Sequence, residues 1–180
     1  MPDFSKIVGG NGVRAKNDFY PTPPECTVAL LNFLEQRQLI KQGDCVWEPA
    51  CGDYAITKVL INNGYKTVST DIVHGRDFMA TDLSAGVDWI ITNPPFSLAR
   101  EFVERSAHLG RPFALLLKSQ FWHAASRVDL FRRFPPAFVL PLTWRPDFTG
   151  KGASLLDMIW VVWHKSADST RYIPLSKPKY

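Results

Sequence analysis

The sequence predicts an α/β fold with a mostly parallel sheet and helices on both of its faces. Short apolar segments over 45–47, 66–70 and 87–92 each end at a polar residue, and longer amphipathic segments separate them. Strands that alternate with helices in this way form parallel sheets with right-handed crossovers. Ligands of such sheets bind beyond the carboxyl ends of the strands, so the polar residues at these ends are the candidate site.

The first predicted helix covers about 23–38. Thr22 is the predicted N-cap, Pro23 suits the first helical position, and Glu25 stands three residues after Thr22, as in a capping box. Leucine then recurs at helical spacing, at positions 30, 31 and 34.

Two strands and a helix follow. The strand 45–47 ends at Glu48, and a helical segment from about 54 runs to a glycine at position 64. The strand 66–70 closes on Asp71.

The third strand, 87–92, stops at Asn93 because the two prolines after it cannot continue a strand. A helix over about 97–109, a strand over 112–117 and a helix around 123–133 come next. Two further strands complete the pattern, over 137–142 and 156–164.

Length and composition indicate one folded domain. With 180 residues, of which 46% are apolar and 21% charged, the chain can bury a core. We expect 1–19, which is polar and glycine-rich, to be a flexible lead-in, and 20–180 to be a single domain. Three cysteines without a Cys-x-x-Cys pair predict neither a metal site nor a disulfide set, and no segment is apolar enough to span a bilayer. The sequence therefore predicts a cytoplasmic protein without membrane contact.

Positive charge is concentrated in the second half of the chain. Residues 1–111 carry 11 basic and 13 acidic side chains, whereas 112–180 carry 10 and 4. Cations interleaved with aromatic residues suit a surface that binds phosphates and stacks bases, although a solvated basic face over a core of aromatics would give the same pattern. The candidate nucleic-acid contacts are Lys118, Arg127, Arg132, Arg133, Arg145, Phe148 and Lys151.

The segment Asn93-Pro94-Pro95-Phe96 is the most informative in the sequence. Each proline removes a backbone donor, so the loop presents carbonyl oxygens without competing N–H groups. The side-chain oxygen of Asn93 and the carbonyl of Pro94 can both accept from one planar amino group, with the ring of Phe96 beside it. Two such hydrogen bonds favour release of the nitrogen lone pair from conjugation and make the nitrogen a better nucleophile. The alternative is a proline turn in which Asn93 caps the next helix.

The turn after the first strand is the usual setting for a nucleotide-like ligand. Gly52 allows close backbone approach, Glu48 can meet a positively charged group, and Asp71 ends the next strand, where a carboxylate commonly accepts from ribose hydroxyls. No G-x-G-x-x-G or G-K-[ST] phosphate loop occurs, which favours a ligand with ribose but no pyrophosphate. Asp77 and Phe78 suit the edge and face of an adenine, or equally a polar loop with a core aromatic.

These motifs, in this order after Tyr20-Pro21-Thr22-Pro23, resemble those of the S-adenosylmethionine-dependent amino-methyltransferases. Among these the sequence is most similar to the adenine-N6 DNA methyltransferases, particularly the small ones of phages and mobile elements. The resemblance implies a Rossmann-like class I methyltransferase domain with a seven-stranded sheet whose last strand is antiparallel. It also implies S-adenosylmethionine as cofactor, DNA as partner and the cytoplasm of a bacterium or phage-infected host.

Carried over by position, the resemblance implies two groups of site residues. The cofactor would be bound by Tyr20, Pro21, Thr22, Pro23, Glu48, Pro49, Ala50, Cys51, Gly52, Asp71, Ile72, Asp77, Phe78 and Asn93. The target base would be held by the catalytic segment Asn93, Pro94, Pro95 and Phe96.

Two departures from the family leave alternatives open. Tyr54 stands where the family usually has a second glycine, which predicts a wider turn or weaker cofactor binding. The chain also leaves no room for a target-recognition domain, so recognition would come from loops, a second copy or a partner subunit. The same chemistry on an amino group of RNA, or on a glutamine amide in protein, is one alternative. A nucleic-acid-binding protein that kept the fold and lost catalysis is another.

Overall fold

The computed structural model describes residues 21–150, 152, 156–165 and 168–179. The predicted lead-in over 1–19 lies outside these residues. The helices are α1 (Pro24–Gln36), α2 (Ala55–Asn62), α3 (Ala99–His108) and α4 (Val128–Arg133). The strands are β1 (Cys45–Glu48), β2 (Lys66–Ser69), β3 (Trp89–Thr92), β4 (Phe113–Lys118), β5 (Phe138–Pro141), β6 (Met158–Trp163) and β7 (Arg171–Tyr172). Short 3₁₀ turns lie at Ile72–His74, Phe96–Leu98, Ser119–Phe121 and Ala125–Arg127.

The described strands form one seven-stranded sheet in the order β2-β1-β3-β4-β6-β5-β7. β1 pairs in parallel with β2 and β3, and β3 pairs in parallel with β4. β6, the strand predicted over 156–164, is antiparallel to β4 and β5. The predicted α/β fold class with a mixed sheet is therefore confirmed.

The antiparallel strand is β6, and not the last strand of the chain as the resemblance implied. The seventh strand, β7, follows β6 and pairs in parallel with β5. It has two residues, both exposed, so neither alternation nor apolar content could reveal it in the sequence.

The centre of the sheet is buried on both faces. All six residues of β6 and five of the six in β4 are buried, which explains their unbroken apolar runs. α1 and α2 cover one core cluster, and α3 and α4 cover the other. Trp160 in β6 donates from its indole nitrogen to the carbonyl of Cys26 at 2.9 Å, which ties α1 to the middle of the sheet.

The predicted capping box at the start of α1 is wrong. The helix begins at Pro24, its N-cap residue is Pro23, and no side chain caps it. The Thr22 hydroxyl instead accepts a hydrogen bond from the side-chain nitrogen of Asn93. The Thr22 side-chain oxygen, which the sequence pattern predicted to cap the helix, is therefore hydrogen-bonded to a residue distant in the sequence.

The helix predicted around 123–133 is shorter than expected. Ala124 is extended, with φ −85° and ψ 126°, and a 3₁₀ turn separates it from α4. The helix predicted from 97 likewise begins with a 3₁₀ turn after Pro95. No helix in the described ranges is both long enough and apolar enough to cross a membrane.

Candidate active site

The carboxyl ends of β1, β2 and β3 meet at one edge of the sheet. Glu48 is the last residue of β1 and pairs with Ser69 at the end of β2. Asp71 follows β2 by two residues, and Asn93 directly follows β3, the strand on the other side of β1. The fold thus brings together the three polar residues that the sequence placed at strand ends.

Asn93 is held by a contact across the sequence. Its side-chain nitrogen donates to the Thr22 hydroxyl at 3.1 Å. Thr22 is 5% exposed, and Asn93 is half-buried. The amide therefore has one end fixed against the segment that precedes α1.

The two prolines after Asn93 stiffen the corner. Pro94 is buried, and Pro95 has φ −52° and ψ 127°, so the chain leaves β3 extended and then turns at Phe96. Neither proline carries an N–H, so neither competes with a ligand for nearby acceptors.

The ring of Phe96 lies beneath a cation. The ammonium of Lys118, at the end of β4, lies 4.0 Å from the ring centroid, a cation–π distance. Phe96 is half-buried and also packs against the core. A planar group that stacks on this face of Phe96 must displace the ammonium.

Glu48 is enclosed beneath the first turn of α2. It is 2% exposed, and its carboxylate accepts from the Thr57 backbone N–H at 2.8 Å and from the Thr57 hydroxyl. Burial raises the pKa of Glu48 to about 8, against the lowering effect of the Thr57 hydrogen bonds. The nearby carboxylates of Asp53 and Asp71 raise it further. Among the described residues, the partners of the Glu48 carboxyl group are thus a neutral hydroxyl and a backbone amide.

Asp71 joins the turns that follow β1 and β2. One carboxylate oxygen accepts from the Gly52 N–H at 2.8 Å, and the other accepts from the Val73 N–H at 3.0 Å. Gly52 has a positive φ of 49°, in the region that favours glycine. Each carboxylate oxygen has further acceptor capacity, so Asp71 can hold a hydroxyl pair as well.

Tyr54 adopts a left-handed backbone conformation, which glycine adopts without strain. It has φ 66° and ψ 29°, which is left-handed, and it is the N-cap residue of α2. Its ring stacks on that of His74, which follows Asp71 by three residues, with centroids 5.9 Å apart. Tyr54 is 40% exposed, and its stacking on His74 joins the turn after β1 to the turn after β2. No sequence motif indicated that His74 would pack against Tyr54.

A cavity of about 740 Å³ lies beside the end of β2. Asp77 lines it, together with residues of β2 and of the loop that follows it. Its lining consists of Val68, Ser69, Thr70, Gly75, Arg76, Asp77, Ala80, Thr81, Asp82 and Ser84.

The prediction that Phe78 offers its face to an adenine is wrong. Phe78 is 3% exposed. Its ring packs edge-on against Trp47 and stacks on Phe102, with centroids 5.2 and 4.7 Å away. It is a core residue, whereas Ile72, beside Asp71, is 68% exposed.

The candidate nucleic-acid contacts divide into three groups. Phe148 was predicted wrongly, because it is buried in the core. Lys151 lies outside the described residues, as does Tyr20, which the resemblance assigned to the cofactor. The arginines have partners on the protein: Arg127 lies over the Phe121 ring, and ion pairs join Arg132 to Asp129, Arg133 to Glu104 and Arg145 to Asp157.

Glu48→Gln should flatten the pH dependence of stability. The pKa of Glu48 is about 8 in the folded protein against an ordinary 4.5, so the folded state keeps a proton that the unfolded state releases. The contribution of Glu48 to the free energy of unfolding is then fully present below pH 4.5 and is lost as the pH rises from 4.5 to about 8. Urea denaturation at several pH values should show this fall in the wild type and a smaller one in the glutamine variant. Equal falls in both proteins would contradict the assignment.

Tyr54→Gly should be more stable than Tyr54→Ala by about 1 kcal/mol, because both lose the stacked ring but only glycine adopts a left-handed φ without strain. Ala55→Gly is the matched control, since Ala55 begins α2. There glycine should lower the free energy of unfolding by about 0.5–1 kcal/mol. Denaturation midpoints of the three variants measure the difference, and an alanine variant as stable as the glycine variant at position 54 would count against the strain.

By sequence alone, the chain matches no protein-family profile and no curated protein. Its fold, however, matches solved structures. The methyltransferase subunit of a type I restriction-modification system from Streptococcus thermophilus matches with a TM-score of 0.65 and 12% identity, over 86% of this chain and 47% of the subunit. The chain therefore spans about half the length of that subunit.

Two further structures match over most of the chain. A Listeria monocytogenes protein assigned to the class I S-adenosylmethionine-dependent methyltransferases has a TM-score of 0.58 and 12% identity, over 91% of this chain and 68% of that one. A Pyrococcus horikoshii protein assigned as an RNA methyltransferase has a TM-score of 0.58 and 14% identity, over 88% of this chain and 91% of that one. This chain has the fold of the class I methyltransferases.

Proposed function

We propose that this protein transfers a methyl group from S-adenosylmethionine to the exocyclic N6 amino group of adenine in DNA. The observation that carries the proposal is the Asn93 corner, with its amide fixed at one end and two prolines after it. It lies at the same sheet edge as Asp71, on the opposite side of β1.

The residues at the ends of β1 and β2 fit the cofactor. Asp71 has acceptor capacity for the two ribose hydroxyls, and Asp77 lines the adjoining cavity, where it can accept from an adenine amino group. The exposed side chain of Ile72 offers the apolar face that Phe78 does not. S-adenosylmethionine bound there would supply an electrophilic methyl group: the amino nitrogen would form a bond to the methyl carbon as the S–CH₃ bond breaks, S-adenosylhomocysteine would leave, and one amino proton would pass to solvent.

The Asn93 corner would hold the target amino group. The amino group would donate one hydrogen bond to the Asn93 side-chain oxygen and one to the Pro94 carbonyl, and these two bonds would free the nitrogen lone pair for attack. The base must leave the double helix, at a cost of a few kcal/mol, and stacking on Phe96 offsets about 1–3 kcal/mol of this cost. Lys118, displaced from the ring, then lies close to the backbone of the extruded nucleotide and can bind its phosphate.

Target recognition would come from loops, a second copy or a partner subunit. Between α3 and β4 and between β4 and α4 the described chain has only short connections, so neither holds a separate recognition domain. The Streptococcus thermophilus protein is itself a subunit of a larger system, which supports a partner here as well.

Asn93→Ala should lower the rate of methyl transfer by about 100- to 1000-fold, judged from the loss of comparable preorganised polar groups, and leave cofactor affinity largely intact. Labelled methyl transfer to DNA, total RNA and protein, followed by mass spectrometry of the modified nucleosides, measures the rate and identifies the acceptor. Asn62→Ala, at the exposed end of α2, is the control and should keep wild-type activity.

Each result of this assay has a clear meaning. N6-methyladenine in DNA supports the proposal, and methylated RNA moves the acceptor but keeps the chemistry. Wild-type turnover in Asn93→Ala removes Asn93 from the mechanism. Two results favour a non-catalytic nucleic-acid-binding protein. In the first, the wild type binds S-adenosylmethionine in calorimetry but methylates none of the three acceptors. In the second, it does not bind S-adenosylmethionine.

Lys118→Gln should weaken DNA binding and reduce the slope of log affinity against log salt by about 1, as expected for one lost phosphate contact. Lys41→Gln is the control, because Lys41 precedes β1 and so lies at the opposite edge of the sheet. Fluorescence titration of labelled DNA at several salt concentrations measures both slopes. Equal slopes for the two variants would exclude Lys118 from phosphate binding.

A further inference from the structure

We infer that Thr22 is a positioning residue for Asn93: its hydroxyl holds the amide nitrogen, so that the amide oxygen is the atom presented to the acceptor amino group. The inference rests on the proposed function and deepens it. It gives the segment before α1 a role in the chemistry beside any contact with the cofactor.

An asparagine amide needs such a partner, because its two ends have nearly the same shape and opposite hydrogen-bonding character. With the oxygen toward the substrate, Asn93 accepts from an amino group. With the amide turned over, an NH₂ group would face another NH₂ group, and no hydrogen bond would form. Nδ2 of Asn93 donates to the Thr22 hydroxyl at 3.1 Å, so the observed orientation turns the nitrogen of the amide, and not its oxygen, toward the threonine.

Thr22 is well placed to act as a fixed partner. Because Pro23 follows it, the backbone of Thr22 is restricted to extended conformations. The Pro23 carbonyl accepts from the Cys26 N–H at 3.0 Å, and the Cys26 carbonyl accepts from buried Trp160 in β6. The threonine is thus attached through α1 to the centre of the sheet that also carries Asn93.

The unused helix cap is an independent sign of this role. Thr22 and Glu25 have the spacing of a capping box, yet no side chain caps α1. The threonine oxygen is bound to Asn93, 71 residues away, instead of to the helix that follows it. The Thr22 hydroxyl thus contacts the Asn93 amide and does not form the cap that would stabilise α1.

The test compares Thr22→Val, which removes the hydroxyl at constant shape, with Thr22→Ser, which keeps it. We expect valine to lower kcat by about 10- to 100-fold, as loss of orienting partners commonly does, with little change in KM for the cofactor, and serine to restore most of kcat. Thr27→Val is the matched control: Thr27 is buried in α1, and its hydroxyl has no partner among the described residues. It should keep wild-type kcat and folding.

The Asn93→Asp background separates orientation from general damage. A carboxylate presents an oxygen at both ends, so its orientation no longer matters. Thr22→Val should then lower the remaining kcat by less than about threefold, against the larger effect in the wild type. An equal loss in both backgrounds, a rise in KM alone, or wild-type kcat in Thr22→Val would overturn the positioning role.

A second readout keeps this inference distinguishable from the proposed function. The side-chain NH₂ signals of Asn93 in a ¹⁵N-labelled sample are identified by their absence in Asn93→Asp. Thr22→Val should shift them and speed their exchange with water, and unchanged signals would overturn the contact itself. If the wild type methylates no acceptor, the proposed function fails and the catalytic role of Thr22 fails with it, whatever the NMR result. If it does methylate, the kcat ratios test the positioning role and the NMR signals test the contact, and failure of either overturns the inference while the proposed function stands.

Discussion

The parallel pairing of β1 with β2 on one side and with β3 on the other is the constraint on which the site depends. Glu48 pairs with Ser69, so Asp71 emerges level with the turn after β1 and reaches the Gly52 N–H at 2.8 Å. The pairing of Trp47 with Ile90 brings the end of β3 to the same edge. A shift of one residue in either register would turn the strand's side chains to the opposite face and separate the two halves of the site.

Stiff backbone and buried partners then hold the groups in place. Asp71 has a backbone donor on each oxygen, and Asn93 lies between Thr22 and two prolines. Groups fixed in this way need little rearrangement when charge develops in a reaction, which is the main advantage of a preorganised polar site. The stacked pair of Tyr54 and His74 belongs to the same arrangement, because a left-handed tyrosine persists only where the surrounding structure enforces it.

Most of the fold and the strand-end residues were predictable, because they rest on patterns that are local in the sequence. Apolar runs gave the strands, and two prolines gave the position where β3 must stop. The errors concern tertiary neighbours. Phe78 and Phe148 differ from exposed aromatics only in what packs around them, and Thr22 fits a capping box until its true partner is known. β7 is too short for any periodicity to reveal it.

Under the proposed function, the contact between Phe96 and Lys118 would couple capture of the base to binding of the nucleic-acid backbone. The ring face beneath the ammonium can hold the cation or a planar base, but not both. In the proposed complex, entry of a base would therefore displace the Lys118 ammonium from the ring, and a phosphate of the same nucleotide would replace the ring as its partner. The arginines farther away differ, because exposed ion pairs such as Arg145 with Asp157 contribute only about 0–1 kcal/mol and exchange easily for phosphates. In the proposed complex Lys118 would thus link base capture to backbone binding, whereas the arginines would strengthen binding wherever the strand lies.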